Sequence, residues 1–210
     1  MLIGVALNFP SEISVLTAPP KTPVLFIKPE NSITRHLAPV LHPDGVPAIQ
    51  PGPSLAVVLG RRSRRVNRSE AFEHVKGYTL FNDFSLKETS TLRPPVRIKG
   101  FDSFGPLGPE VIPKERLPDP HDVTLTCRVN GELRHEGTTR DLIWKIPELL
   151  EFITSFMTLE KDDAIAIGVP PGRIDVVAGD SVTVQAGGLL ELTNPIVSER
   201  EYRELARKRR

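Results

Sequence analysis

Short apolar runs set the pattern of this chain. Val24-Leu25-Phe26-Ile27, Leu55-Ala56-Val57-Val58-Leu59 and Ala164-Ile165-Ala166-Ile167 are each bounded by proline or glycine. Runs of that length predict strands buried on both faces. Residues 123–129 and 181–186 alternate apolar with polar positions instead, which predicts half-exposed strands with Cys127 pointing inward. Asn130-Gly131 between two such stretches predicts a hairpin turn, because both residues tolerate positive φ. Residues 176–184 read as a strand pair around a Gly179-Asp180 turn. Helical spacing occurs twice. Ser69 is placed to cap a helix running to Lys76, with Ala71, Phe72 and Val75 on one face. Thr139 or Asp141 is placed to open a longer one to Phe156, along which Leu142, Ile146, Leu149, Leu150, Ile153 and Phe156 recur; Pro147 is expected to kink its early turns. Trp144 and Phe152 fall to the helix core or a subunit contact.

Composition shifts this picture toward β structure. The 21 prolines cluster in residues 19–53 and 94–120, where they argue against long helices and for extended segments joined by turns. A mainly β fold with a few helices (α+β) follows. With 210 residues and a net charge of +1, one domain over residues 1–202 is expected, and nothing demands a polyanionic partner. The basic end, residues 203–210, follows Glu199, Glu201 and Glu204 and has no aromatic platform, so it reads as a solvated tail rather than a nucleic-acid site. No apolar run approaches the ~20 residues that cross a bilayer, and the first residues lack a basic leader and a cleavage site. The expectation is a cytoplasmic protein with no membrane partner. Cys127 is the only cysteine, which excludes an internal disulfide and suggests a buried, inert thiol.

Candidate chemistry centres on residues 96–109. Lys99 there leads into Phe101 and Phe104, an acid and three glycines, a composition suited to backbone passing close to a ligand. Read with Lys28, with Gly77-Tyr78-Thr79-Leu80-Phe81-Asn82-Asp83 and with Phe156-Met157-Thr158-Leu159, this segment resembles the fumarylacetoacetate hydrolase superfamily. Val5-Ala6-Leu7-Asn8-Phe9, Phe26-Ile27-Lys28-Pro29, Val129-Asn130-Gly131-Glu132 and Asp141-Leu142-Ile143 fall in the same order as in that family. Residues 114–121 and 194–199 add a likeness to one branch, the N-terminal half or subunit of the isomerase/decarboxylases of 4-hydroxyphenylacetate (homoprotocatechuate) degradation.

The resemblance implies a mixed β-sheet roll and a substrate that is a small 2-oxo or enol di- or tricarboxylic acid. In this branch these would be 5-carboxymethyl-2-oxo-hex-3-ene-1,7-dioate and 2-hydroxyhepta-2,4-diene-1,7-dioate. It also implies a divalent cation, Mg²⁺ or Mn²⁺. A hard ion chelated by carboxylate and oxo oxygens draws electrons from the carbon skeleton and stabilises an enolate. The family holds the ion with a Glu-x-Glu pair on a strand and a later aspartate, since residues two apart project from one face. Asp83 matches the aspartate, but Gly52 and Ser54 stand where the pair belongs. Glu30, Asp44 and Asp102 are the remaining acids weighed for the site, and no spacing recommends them. The lid histidine expected after Phe9 is absent from residues 10–16, and Gly168-Val169-Pro170 replaces the usual Gly-Thr-Pro.

By the same resemblance Lys99 is the catalytic candidate, Lys28, Asn82 and Lys99 are the substrate-binding candidates, and Asp83 is the retained metal ligand. Each has a plain alternative: a lysine stem covering core, or an Asn-Asp turn. His121, His135 and Arg97 read as surface residues. Three readings compete. The first is a degenerate subunit that works with a metal-binding paralogous subunit, or as a homo-oligomer, and need hold no ion itself. The others are an autonomous metal-dependent lyase or hydrolase of 2-oxo acids, and a non-catalytic scaffold.

Overall fold

Leu55, Val57 and Leu59 face one side of a seven-residue strand while Ala56 and Val58 face the other, and all are buried. That strand forms the middle of the architecture seen in the computed structural model, which describes residues 1–13, 16, 20–87 and 95–208. In chain order the first elements are β1 (Leu2–Ala6), α1 (Pro10–Ile13), β2 (Val24–Lys28), β3 (Ile33–Arg35), β4 (Val40–His42), β5 (Pro53–Leu59), β6 (Val75–Asn82), α2 (Val96–Lys99) and β7 (Gly105–Leu107). They continue as β8 (Ile112–Pro113), β9 (Thr124–Val129), β10 (Glu132–Thr138), α3 (Ile146–Phe156), β11 (Ala164–Ala166), β12 (Ser181–Ala186), β13 (Leu192–Ser198) and α4 (Glu199–Lys208).

The first sheet is mixed and runs β2-β1-β11-β5-β6-β7-β3, with β8 paired to β6. A second sheet runs β10-β9-β12-β13-β4. Helix α3 lies on the first sheet and sets Ile146, Leu149, Leu150 and Ile153 against Leu55, Val57 and Leu59 of β5. Each such side chain contributes ~1.5–3 kcal/mol by leaving water. A second core joins Leu80, Phe84 and Phe104 to Leu125, Cys127, Val182 and Val184 of the second sheet. The fold is therefore the mainly β, mixed-sheet arrangement expected, and Cys127 is buried in it. Burial pushes its thiol up to about 12, so it stays protonated.

Several local expectations change. β2 is the edge of its sheet, and Ile27 is 58% exposed, so that apolar run is not buried on both faces. Residues 69–76 form no α-helix: a 3₁₀ segment covers Arg68–Glu73, and the chain then enters β6 because Val75 and Gly77 find ladder partners in Leu59 and Val58. The long helix is likewise divided. A 3₁₀ turn at Thr139–Asp141 is capped by Thr138, and α3 opens only at Ile146. Pro147 sits in the first turn, where its missing N–H costs nothing, and produces a start rather than a kink. Glu148 accepts the Lys145 N–H at 2.8 Å to secure that start. Val176 bridges Ile49 rather than pairing with β12, so the strand pair at 176–184 is not formed. The Asn130-Gly131 hairpin is present, with φ of 53° and 86°.

The glycines of 96–109 serve packing within the fold. A Cβ at Gly108 would stand 2.5 Å from Thr79 Oγ1 and 2.9 Å from Leu80 N, so this glycine lets β7 close on β6. Helix α4 runs through Arg203, which pairs with Asp44; Arg209 and Arg210 of the expected basic tail lie outside the described residues, as do Ser14 and Val15 of the lid segment. Among the described residues no helix is long and apolar enough to cross a membrane.

Gly77 offers a direct test of the β6–β8 contact. A Cβ there would lie 1.9 Å from the Ile112 carbonyl oxygen, which is backbone and cannot swing away. Gly77→Ala is expected to cost roughly 1–3 kcal/mol, read as a lower urea midpoint; an unchanged midpoint would show that β8 does not pack there.

Candidate functional site

The pairing of β5 with β6 places Pro53 opposite Asn82, so the residues just beyond, Gly52 and Asp83, meet. Asp83 N–H donates to Gly52 O at 2.8 Å, and Gly52 N–H donates to Asn82 Oδ1 at 2.8 Å. Asn82 is thus engaged with backbone and fully buried. Ser54 lies one step further in, its hydroxyl turned to Leu55 O at 3.3 Å. Asp83 remains as the carboxylate at the end of β6.

Three cations surround it. Lys28, at the end of β2, lies 3.1 Å from Asp83 Oδ1 with no exposed side-chain surface. Its three protons go elsewhere, to Phe84 O, Lys99 O and Phe104 O, each at 2.8 Å. Oδ1 therefore feels the charge of Lys28 but accepts no hydrogen bond among the described residues. Lys28 ties the β6 exit to residues 99–104 and stands behind Asp83. Burial lowers its pKa to about 8, against the pull of the Asp83 carboxylate, which raises it. Lys99 closes α2; its ammonium pairs with Asp83 Oδ2 and lies 4.4 Å from the centre of the Phe26 ring. Arg173 supplies the third charge. Its Nη2 donates to Asp83 Oδ2 at 2.8 Å, and its Nη1 donates to Asp83 O at 2.7 Å and to Ser85 Oγ at 3.2 Å.

Arg173 was not legible as a site residue, and the loop that delivers it is built by side chains far away in sequence. Gly168 and Gly172 take φ of 130° and 90°, which lets the chain after β11 turn sharply twice. His135 of β10 is buried rather than on the surface, and its Nε2 donates to Pro171 O at 2.8 Å. Gly137 leaves room for Pro170, which a Cβ would meet at 2.2 Å. The one local sign is its place three residues after Pro170, close to the Gly168-Val169-Pro170 segment. His121 has a structural task as well, its Nε2 accepting the Ile146 N–H at 3.1 Å at the start of α3.

Asp83, Lys99 and Arg173 open onto a cavity of about 290 Å³. Its polar wall includes Glu12, Gln50 and Ser85, and Val5, Phe26, Leu86, Ile98 and Val169 complete it. Glu12 lies on α1, and no spacing in the sequence marks it as a site residue. Its Oε2 accepts the Phe9 N–H at 3.2 Å. Burial raises its pKa, although that hydrogen bond and the charges of Arg173 and Lys99 oppose the shift. Lys28 and Asn82 do not line this cavity.

A divalent ion does not fit these residues. Mg²⁺ asks for about six oxygens in near-octahedral array. Here Asp83 is the one carboxylate at the expected position, and three protein cations already hold it. Glu30, Asp44 and Asp102 are exposed and off the cavity wall. Among the described residues no group of three or more His, Cys, Asp or Glu side chains is arranged to hold an ion. Burial alone would raise the pKa of Asp83, but Lys99, Lys28 and Arg173 outweigh it and hold the carboxyl well below the usual range.

The sign of that shift fixes a pH dependence. A depressed carboxylate pKa contributes stability that is full above about pH 4, the value in an unfolded chain, and is lost as pH falls toward the folded value. Asp83→Asn is expected to cost roughly 3–5 kcal/mol, because it strands buried positive charge, and to flatten the acid limb of the stability curve. Urea melts from pH 2.5 to 7 would check both; an acid limb as steep as that of the parent chain would remove Asp83 as its source.

The sequence profile described as Fumarylacetoacetate (FAA) hydrolase C-terminal matches residues 2–197. A 4-hydroxyphenylacetate degradation bifunctional isomerase/decarboxylase of Salmonella dublin is 42% identical over 94% of this chain and 47% of its own length. The chain thus spans about half the length of that relative. Among solved structures, a 5-carboxymethyl-2-hydroxymuconate delta-isomerase from Mycobacterium smegmatis superposes with a TM-score of 0.84 at 33% identity, over 94% of this chain and 78% of the other. A maleylpyruvate hydrolase from Sphingobium sp. SYK-6, in complex with manganese(II) and pyruvate, gives 0.81 at 27% identity, over 94% and 70%. With a profile match across nearly all of its length, and with isomerases and decarboxylases among its relatives, this chain belongs to the fumarylacetoacetate hydrolase family.

Proposed function

We propose that this chain is the ion-free partner in an isomerase/decarboxylase of 4-hydroxyphenylacetate degradation, working beside a paralogous subunit that keeps the full set of ion-holding carboxylates. The observation that carries the reading is the state of Asp83: its carboxylate faces Lys28, Lys99 and Arg173, and its neighbour at the pairing position is Gly52. A site arranged in this way keeps a pocket and an anchor for acids without the oxygens that would grip an ion. The match to about half of a bifunctional relative supports a division of labour between two related halves.

Within the pair, Lys99 is the residue expected to meet substrate, since it lines the cavity and its side chain is 12% exposed. Lys28 and Asn82 hold the floor beneath it, Lys28 through three carbonyls and Asn82 through Gly52. The substrates proposed for the assembly are 5-carboxymethyl-2-oxo-hex-3-ene-1,7-dioate and 2-hydroxyhepta-2,4-diene-1,7-dioate, whose carboxylates such cations would attract.

The assay is turnover of the first of these acids, with Mg²⁺ present, by the chain alone, by a paralogue carrying the Glu-x-Glu pair, and by the two mixed. The expected result is no decarboxylation by the chain alone and a rise in the paralogue's rate on mixing. Full turnover by the isolated chain, or a paralogue indifferent to its presence, would refute the reading.

A further inference from the structure

We propose that Arg173 stands in the place of the divalent ion, so that this pocket binds a small carboxylate directly on Arg173 and Lys99 without any metal. The inference goes beyond the heteromer reading and shares with it only the loss of ion-holding oxygens.

Gly52 and Arg173 act as one device. A Cβ on residue 52 would stand 2.6 Å from Arg173 Nη1 and 2.7 Å from the Asp83 carbonyl oxygen. A side chain at 52 therefore requires both that the guanidinium leave its seat and that the Asp83 carbonyl shift. Arg173 reaches this position from a loop fixed by His135 and Gly137, so its seat is preorganised rather than a chance surface pairing. A guanidinium bonded to both the carbonyl and the side chain of Asp83 satisfies this carboxylate as an ion would, but it adds hydrogen-bond donors where an ion would add coordination sites.

Among the described residues, three cations face the Asp83 carboxylate. Lys28 is sealed off, its protons held by carbonyls, whereas the side chains of Lys99 and Arg173 remain 12% and 22% exposed on the cavity wall. Arg173 uses both Nη1 protons and one Nη2 proton on the protein; Nε–H and the second Nη2 proton have no acceptor among the described residues. A ligand carboxylate in the cavity is the acceptor of matching charge and planar geometry. The remaining wall sets the body of that ligand. Val5, Phe26, Leu86 and Ile98 suit a short apolar skeleton, and a volume of about 290 Å³ limits it to a small molecule. Glu12, in the same cavity, offers an acceptor for a hydroxyl and disfavours a second carboxylate close to it.

The test is calorimetric titration of the full chain with 4-methyl-2-oxopentanoate, a branched 2-oxo acid, and with 4-methylpentan-2-one, the same skeleton without its carboxylate. Binding of the acid in EDTA, no binding of the ketone, and a Kd unchanged within about twofold when Mg²⁺ replaces EDTA are expected. Arg173→Met should weaken binding by at least about tenfold, as loss of a charge-assisted contact does. Ile98→Trp fills the cavity from α2 without touching the ion cluster, and it should abolish binding even if Arg173→Met proves too unstable to titrate. No binding in EDTA, binding that requires Mg²⁺, equal affinity for the ketone, or parental affinity in either variant would overturn the proposal. Failure here would leave the mixed-subunit turnover assay untouched, and failure of that assay would leave this titration standing.

Discussion

The ion cluster at Asp83 is the constraint from which the rest of the site follows. A carboxylate with only 2% of its side chain exposed is tolerable only when opposite charge stays close. Meeting that need ties together the end of β2 through Lys28, the end of α2 through Lys99 and the loop after β11 through Arg173. Lys28 adds a further demand, since an ammonium with no exposed surface must place all three protons, and it does so on carbonyls of residues 84, 99 and 104. The pocket's polar end is therefore fixed by charge pairing, and its apolar walls by the strands and short helices that those pairs draw in.

The same cluster shows what the fold requires at this end of the first sheet. The first sheet needs only that β5 and β6 remain paired and that the exit of β6 be neutralised; whether neutrality comes from a bound ion or from a protein guanidinium is indifferent to the sheet. Gly52 and Ser54 sit at the end of an intact β5–β6 register, and the Arg173 guanidinium lies where a Cβ on Gly52 would point. Relatives that are isomerases and decarboxylases share the scaffold.

Much of the scaffold was legible in the sequence, and the misses have physical causes. The runs at β5 and β11, the alternation of β9 and β12, the inward Cys127 and the Asn130-Gly131 turn all follow from local pattern. The edge position of β2 is not legible, because it depends on which strand pairs beyond it and no residue of β2 states that. Residues 69–76 have helical spacing, yet the ladder between Val75 and Leu59 competes for the same backbone and wins. At the site, Lys28, Lys99, Asn82 and Asp83 follow from resemblance; the structure joins Lys28, Lys99 and Asp83 in one ion cluster, with Asn82 beside it on the Gly52 backbone. Arg173 and the inward turn of His135 were not legible, because both depend on β10 packing against a proline loop more than thirty residues away in sequence.

Mn²⁺ binding followed by electron paramagnetic resonance tests whether protein cations fill the role of an ion at Asp83. Titrating the purified chain into Mn²⁺ at neutral pH should leave the six-line spectrum of the free aqueous ion at full intensity. Loss of that signal with a stoichiometry of one ion per chain, abolished by Asp83→Ala, would contradict it.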